Sequence, residues 1–579
     1  MSRLLPHKTL SRFLERFHKS PGKAAAGQEH CKTSWHTSFV ILFCLASLAM
    51  FADSLIWPYP HNFLHIVGWA GLLAMPCLLV ERYGRHISFA LLAYVVSLEM
   101  LEHWAMHNYR MLLGENLVFI ISATNPEEVA QFLKMFGFSR IVLCILAIPL
   151  FFYCLWWLCY KLPSKIALPI SKPTRLCRLF LSLSLLILFV LAHCPAILHR
   201  TQKTFFEQAC WIACTKAAGK AMIEFRRLLG MMRHPQFPKG LEFTAEGKET
   251  PPLGIIIIGE SSCRNYWSLY GYQRTTTPKL DTIKDELLVF QDLCGTATET
   301  STGLLNLFVK RENLPDGQVS SSPLADLLIS AGIAVSIVST QANNSKYSSF
   351  QTAMFDSIGN KVYIAGNEKK DTKDLAILPH LKSILSNSTR EKGECIFLHT
   401  VGNHFPCVNY RQVDDSFTGV ADLVTEGLDG EQFKALNSYC NTMLHVDETI
   451  YDVIEAVMLA AKNRPAFVLF VSDHGETPLE PWRCAVSRDL WELPMVLWFN
   501  ECYRQNFPDI CEQARLNTGL AMTTDRLYWG MCSLMQLTFP GFPSSEDFLS
   551  RKYFPPEHRR VYRGKYRYEK DSERRFLSE

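Results

Sequence analysis

The sequence predicts a two-part chain: a five-helix transmembrane domain, then an α/β domain whose largely parallel sheet is flanked by helices. Three observations carry this. Residues 36–198 hold 10 Lys/Arg and 7 Asp/Glu in 163 positions, about half the charge density of the whole chain. That block contains five long apolar runs. Beyond residue 251 the apolar runs become short, and several end in Glu, Asp or His. Whole-chain averages conceal this division. With 579 residues, 48% hydrophobic, 20% charged, net charge +4 and a mean hydropathy of +0.04, they exclude only a disordered chain, a collagen-like repeat and a small disulfide scaffold.

The long runs fall near 38–57, 62–80, 87–104, 140–160 and 179–198. Runs of about 20 apolar residues match the thickness of a bilayer core. The first follows some 35 polar residues with no small-residue cleavage site, so it is expected to be an anchor rather than a removable signal peptide. Basic residues set the orientation. The first 35 residues carry 7 Lys/Arg against 2 Asp/Glu, and Arg82, Arg85, Lys161, Lys165, Lys172, Arg175 and Arg178 lie in the loops after the second and fourth runs. The N-terminus is therefore expected in the cytoplasm and everything after residue 198 outside, which in a bacterium is the periplasm. Residues 201–232 mix apolar and basic positions at helical spacing, as an amphipathic helix on the membrane face does, or a helix packed on the next domain. The Pro-rich stretch that follows suits a linker, making 199–250 a connecting segment.

From 251 to 550 the strands are expected at LGIIIIGES (253–261), AVSIVST (334–340), CIFLHTVGNH (395–404), AFVLFVSDHGE (466–476) and MVLWF (495–499). Near-continuous apolar strands separated by helical stretches indicate a sheet buried on both faces. Ligands of such sheets sit at the carboxyl ends of the strands. There the sequence places Glu260, Asp473, His474, His399 and His404. Carboxylates and imidazoles converging from neighbouring strand ends suit zinc, or manganese in a more oxygen-rich site. Each alone reads equally as a cap or a loop charge.

Between the carboxylate segments lies CGTATETSTGLLNLF (294–308). A hydroxyl beside a metal ionises near neutral pH and can attack phosphorus. A helix starting near Ser301 would add backbone N–H groups for a phosphate. Plain N-capping by the Thr/Ser cluster is the competing reading.

Together these segments resemble a family. GESSCRNYWSLYGYQRTTTP (259–278), FVSDHGE (470–476), HTVGNHFP (399–406), CGTATETS, NSYCNTMLHVDETI (437–450) and GENLVFIISATNPEEV (114–129) are similar to motifs of the bacterial inner-membrane phosphoethanolamine transferases, of the alkaline phosphatase and sulfatase superfamily. The resemblance implies an alkaline-phosphatase-like domain and four zinc ligands: Glu260, the nucleophile Thr298, Asp473 and His474. Magnesium or manganese are the alternative metals. Thr298 follows from the family frame Gly-Thr-x-Thr-x-x-Ser, with Thr300 the alternate if the alignment slips by two. His404 matches a histidine that faces the substrate phosphate. The implied reaction moves phosphoethanolamine from phosphatidylethanolamine, through a phosphoethanolamine-threonine intermediate, to lipid A, core sugar or another glycan outside the inner membrane, releasing diacylglycerol. The expected partners are that donor, a lipopolysaccharide or glycan acceptor and membrane lipids. No nucleic acid is expected, and the chain is expected to be a monomer.

The sequence departs from the family at three places. Glu492 stands where a family His touches phosphate or a second metal, Leu304 replaces a Cys that would pair with Cys294, and Asn343-Asn344-Ser345-Lys346 has its Lys displaced. Glu99, Glu102 and His103 lie at the outer end of the third run, as substrate-path or interfacial groups. Of 19 cysteines, 11 follow residue 200; Cys502 with Cys511 is the best disulfide candidate, Cys407 with Cys440 a weaker one, and Cys395 reads as a buried thiol. Residues 551–579, with 10 Lys/Arg and 5 Asp/Glu, read as a basic tail. Two other functions fit the same chain: a membrane-anchored phosphodiesterase or sulfatase-type hydrolase, and a non-enzymatic membrane sensor or assembly protein. A formylglycine sulfatase is disfavoured, since no C/S-x-P-x-R motif occurs at 294–304.

Overall fold

A computed structural model describes residues 39–48, 63–79, 83–109, 235–244 and most of 251–569, with parts of 149–198 and 215–232. Within 251–569, segments 314–318, 342–352, 365–373, 389–390, 405–415, 480–486, 562–565 and most of 418–425 lie outside the described residues. So do the predicted cytoplasmic segment 1–35, the loop 114–129, residues 343–346, Cys407, the side chains of Glu99, Glu102 and His103, and most of the helix predicted at 201–232. The chain divides into two compact units, Met1–Trp104 with Ala130–Thr215 and Ala105–Val129 with Lys216–Glu579.

In the first unit, all five predicted apolar runs are helical where described, in helices Phe63–Ala74, Gly84–Tyr109 and Arg175–Leu198 and at 39–48 and 153–158. Leu42, Ala70, Leu73, Leu92, Val95 and Leu155 form its core. Leu176, Leu179 and Phe180 are exposed apolar side chains on one of these helices. Among the described residues no helix is long and apolar enough to cross a membrane.

The second unit is built on a seven-stranded sheet. Its strands are β1 (Leu253–Gly259), β2 (Leu287–Val289), β3 (Ala334–Ser339), β4 (Asn360–Tyr363), β5 (Glu394–His399), β6 (Ala466–Ser472) and β7 (Met495–Phe499), in spatial order β2-β7-β6-β1-β5-β3-β4. Every residue of β1 and β6 is buried. Alternation splits β1 between two cores: Ile256 and Ile258 join one apolar cluster, Ile255 and Ile257 the other. This explains the uninterrupted Ile run, since neither face meets water.

The sheet is mixed rather than simply parallel. β7 pairs antiparallel with both β6 and β2, while β6, β1, β5, β3 and β4 are parallel neighbours. The chain leaves β6 at its carboxyl end and re-enters beside it from that end, so β7 runs back against β6. Helices α1 (Thr300–Phe308), α2 (Ile377–Ser386) and α3 (Gly430–Ala460) flank the sheet. α3 starts at a capping box formed by Asp429 and Gln432.

Two further expectations change. Cys502 and Cys511 are both free thiols, placed on consecutive short helices; Cys440 is buried and accepts a contact from Arg274 at 3.4 Å, and its expected partner Cys407 lies outside the described residues. The basic segment after 551 is not all tail. Strands Arg560–Val561 and Tyr566–Arg567 form a hairpin, and Val561 and Tyr568 pack with Cys294, Leu490 and Trp491.

At the amino edge of the sheet, buried Arg464 binds Glu394 at 2.9 Å and donates to the carbonyls of Pro251 (2.8 Å) and Lys392 (2.6 Å). Removing one partner of a buried pair leaves the other charge unpaired. Arg464→Ala is therefore expected to lower unfolding free energy by about 3–5 kcal/mol, measurable by denaturant unfolding of the detergent-solubilised chain.

Candidate metal and nucleophile site

The carboxyl ends of β1, β6 and β5 lie level, because Ser472 pairs with Gly259 and Ile258 with His399. The residues next in the chain therefore emerge side by side. Glu260, Asp473 and His474 are each almost wholly buried, and their ligand atoms lie within 4.8 Å of one another.

Backbone geometry fixes each of the three. Ser261, just after Glu260, adopts φ +56°, a conformation that costs a non-glycine residue about 1–3 kcal/mol. The turn sends the Ser261 N–H to Asp473 Oδ1 (3.2 Å) and its hydroxyl to Glu260 Oε1 (2.6 Å). Tyr439 of α3 holds the turn: its hydroxyl donates to Ser261 O (2.9 Å) and accepts from Cys263 N–H (3.0 Å). Gln341, at the end of β3, donates to Glu260 Oε2 (3.1 Å) and to Thr400 O (2.9 Å).

The imidazole of His474 approaches the Gly475 carbonyl through Nδ1 at 2.7 Å. A carbonyl only accepts, so Nδ1 carries the proton. In a neutral ring Nε2 then presents a bare lone pair to Glu260 Oε1 at 3.2 Å and Asp473 Oδ2 at 3.7 Å. Only a cation between them, proton or metal, reconciles three electron-rich atoms at such distances. Asp473 Oδ2 is also buried without a hydrogen-bond partner. Two carboxylates and one imidazole fit zinc, and these residues would hold it.

Electrostatics agree with a site built for a cation. Burial raises the Glu260 carboxyl, but the hydrogen bond and charge of His474 outweigh it and hold the group well below the usual range. Burial, reinforced by the charge of Glu260, pushes Asp473 up to about 7. His399, at the end of β5, is driven down to about 4 by burial, which favours its neutral form. His404 follows it in the loop after β5, and its charge acts on Glu260. That loop is pinned by Asn403 N–H to Glu260 O (2.9 Å) and by buried Asp374, which accepts from the N–H groups of Val401 and Gly402, both at 2.9 Å.

The hydroxyl beside this cluster is that of Thr300, not Thr298. Thr300 Oγ1 donates to Glu260 Oε2 at 3.0 Å and lies 3.4 Å from His474 Nε2. Thr298 instead donates to Glu299 Oε2 at 3.2 Å, and Thr302 also bonds Glu299. Thr296 pairs with Thr524. Thr300 opens α1, and Gly303 lies on the same face of that helix. A Cβ on Gly303 would sit 2.5 Å from the Asp473 carbonyl oxygen. Only glycine lets the helix press against Asp473 so closely, and that approach delivers Thr300 to the cluster. The signal present in the sequence was Gly303, three residues after Thr300. Ser261, Gln341 and Tyr439 also escaped the sequence reading, since nothing local distinguishes them.

Glu492, at the position of the family His, does not join the metal cluster. Its carboxylate accepts from Tyr568 (2.6 Å), Asn265 (2.5 Å) and Arg488 (3.1 Å). Burial raises it, but these hydrogen bonds and the charges of Arg264 and Arg488 bring it below the usual range.

Comparison with known proteins accords with this geometry. Residues 252–525 match the Sulfatase family model. Phosphoethanolamine transferase EptC of Escherichia coli strain K12 is 24% identical over 423 residues, covering 69% of this chain and 72% of that protein. The integral membrane lipooligosaccharide phosphoethanolamine transferase A (EptA) of Neisseria meningitidis superposes with a TM-score of 0.61 at 18% identity, over 88% of this chain and 98% of that one. The periplasmic domain of Escherichia coli EptC, solved in complex with zinc, superposes with a TM-score of 0.50 at 22% identity, over 56% of this chain and 92% of that one. At such identities the superpositions establish the fold.

Replacing Asp473 by Asn keeps the shape and removes the charge. Asp473→Asn is expected to weaken zinc binding by more than about 100-fold, above the usual cost of changing an outer-shell group. Zinc competition with a chromophoric chelator measures this, and circular dichroism confirms retention of the fold.

Proposed function

We propose that this chain, which matches the Sulfatase family model over 252–525 and is similar to phosphoethanolamine transferases, moves phosphoethanolamine from phosphatidylethanolamine to a lipopolysaccharide component outside the inner membrane, with Thr300 as nucleophile. The observation that carries this is the Thr300 hydroxyl on Glu260, at the head of a helix and beside Asp473 and His474. Membrane placement is supported by the charge-poor block 36–198 and by the full-length likeness to an integral membrane protein.

Thr300 Oγ1 attacks the phosphorus in line, and the bond from phosphorus to the diacylglycerol oxygen breaks. The hydroxyl proton leaves toward Glu260 Oε2, the acceptor it already faces. Backbone N–H groups in the first turn of α1 receive a phosphoryl oxygen, favoured by the helix dipole. His404 protonates the departing diacylglycerol oxygen. A hydroxyl oxygen of lipid A or core then attacks the phosphoethanolamine-threonine and passes its proton to His404, while Thr300 leaves with the proton returned from Glu260; a phosphate acceptor, which brings no proton, leaves His404 to be reprotonated from water. When bound, zinc held by Glu260, Asp473 and His474 lowers the pKa of the nucleophilic hydroxyl and offsets phosphoryl charge.

Removing a nucleophile costs roughly 10⁴-fold or more in turnover, so Thr300→Ala is expected to abolish transfer. Thr298→Ala is expected to keep activity within about threefold, as for substitutions outside the reacting groups. Mass spectrometry of lipid A and core fractions from expressing cells checks both variants and identifies the acceptor. An inactive Thr298→Ala beside an active Thr300→Ala would overturn the nucleophile assignment. Free phosphoethanolamine without modified lipid would make the enzyme a hydrolase.

A further inference from the structure

The loop 487–493 touches all three segments that converge on the site. Gly475 N–H donates to Leu490 O at 2.9 Å, and a Cβ on Gly475 would lie 1.9 Å from Asp489 O. The backbone just after His474 therefore rests directly on this loop. Gly295 N–H donates to Trp491 O at 2.7 Å, Leu493 N–H to Leu293 O at 3.3 Å, and Cys294 forms an antiparallel bridge with Glu492. That contact sets the strand entering the Thr300 segment. Arg264 N–H donates to Glu492 O at 2.9 Å, tying in the turn that follows Glu260. One short loop thus gauges the distances among three separately folded pieces of the site.

Glu492 and the C-terminal hairpin hold this loop in turn. Tyr568 donates to Glu492 Oε1 at 2.6 Å. Its ring lies between the guanidinium groups of Arg488 and Arg559, each 4.3 Å from the ring centre. Arg559 is anchored to Asp292 (2.6 Å) and Glu569 (2.9 Å), and the Tyr568 N–H donates to Arg559 O at 2.9 Å. Tyr568 is 4% exposed, so its hydroxyl and Glu492 meet largely out of water, where a hydrogen bond to a charged group is strong.

We propose that residues 559–561 and 566–569 act as a clasp on loop 487–493, and that Tyr568 is a positioning residue which sets the metal ligands and the Thr300 segment through Glu492. The proposal rests on the zinc and transferase reading above, but the clasp is testable without it. Tyr568→Phe keeps the ring between the two arginines and removes only the hydroxyl. In the full chain in detergent micelles, hydrogen exchange in peptides covering 293–300 and 473–476 is expected to accelerate. Zinc affinity and kcat are each expected to fall about tenfold, as for loss of an outer-shell partner, while KM for phosphatidylethanolamine holds within about twofold. Glu492→Ala is expected to produce the same losses, and the double variant to lose no more than Glu492→Ala alone, the non-additivity of residues acting through one another. Unchanged exchange in both peptides for Tyr568→Phe, or additive losses in the double variant, would overturn the clasp. If the unaltered chain neither binds zinc nor transfers phosphoethanolamine, the functional reading fails, and the exchange data still decide the clasp.

Discussion

Everything at the candidate site depends on two buried carboxylates brought against one imidazole. Glu260 and Asp473 leave the ends of adjacent parallel strands, and parallel registry puts them at the same height. In a low-dielectric interior such a pair repels unless a cation joins it. The fold commits its most buried strands to creating that repulsion and surrounds it with donors: Ser261, Gln341, Thr300 and the backbone N–H of His474. The stored cost makes sense as a receptor for a divalent metal.

The Thr300 hydroxyl arrives by a different physical route. No strand of the seven-stranded sheet leads to Thr300; it opens a helix, which lies here because Gly303 permits backbone contact with Asp473. The Thr300 hydroxyl then has the positive end of a helix on one side and the Glu260–Asp473–His474 cluster on the other. The loop carrying His404 is fastened to Glu260 through Asn403 and to Asp374 through two backbone N–H groups, so the imidazole shares a frame with the ligands.

Much of this was legible in residue order. The Ile run of β1 and the AFVLFVS run of β6 announced a doubly covered sheet, and their polar ends announced Glu260, Asp473 and His474. Other features were not legible. The reversal of β7 follows from how its connection returns, which composition does not encode. Tyr439, Gln341 and Tyr568 act across separations of 178, 81 and 76 positions, and ordinary local neighbours give them no distinguishing mark. Cys502 and Cys511 looked pairable by proximity in sequence, yet two consecutive helices leave both thiols free.

The sequence by itself determined the buried character of the central strands and the residue types gathered at their ends, because hydrophobic periodicity and the residue type at a strand end are local properties. Only the tertiary structure decided which threonine meets the ligands. Thr298 and Thr300 are two residues apart in a run rich in hydroxyls, and the choice turns on where α1 begins and how closely Gly303 lets it approach Asp473. It also decided the fate of Glu492, whose carboxylate could equally serve a metal until Tyr568, Asn265 and Arg488 are seen to occupy it. Both outcomes are set by packing between segments far apart in the chain, a constraint that exists only once the chain has folded.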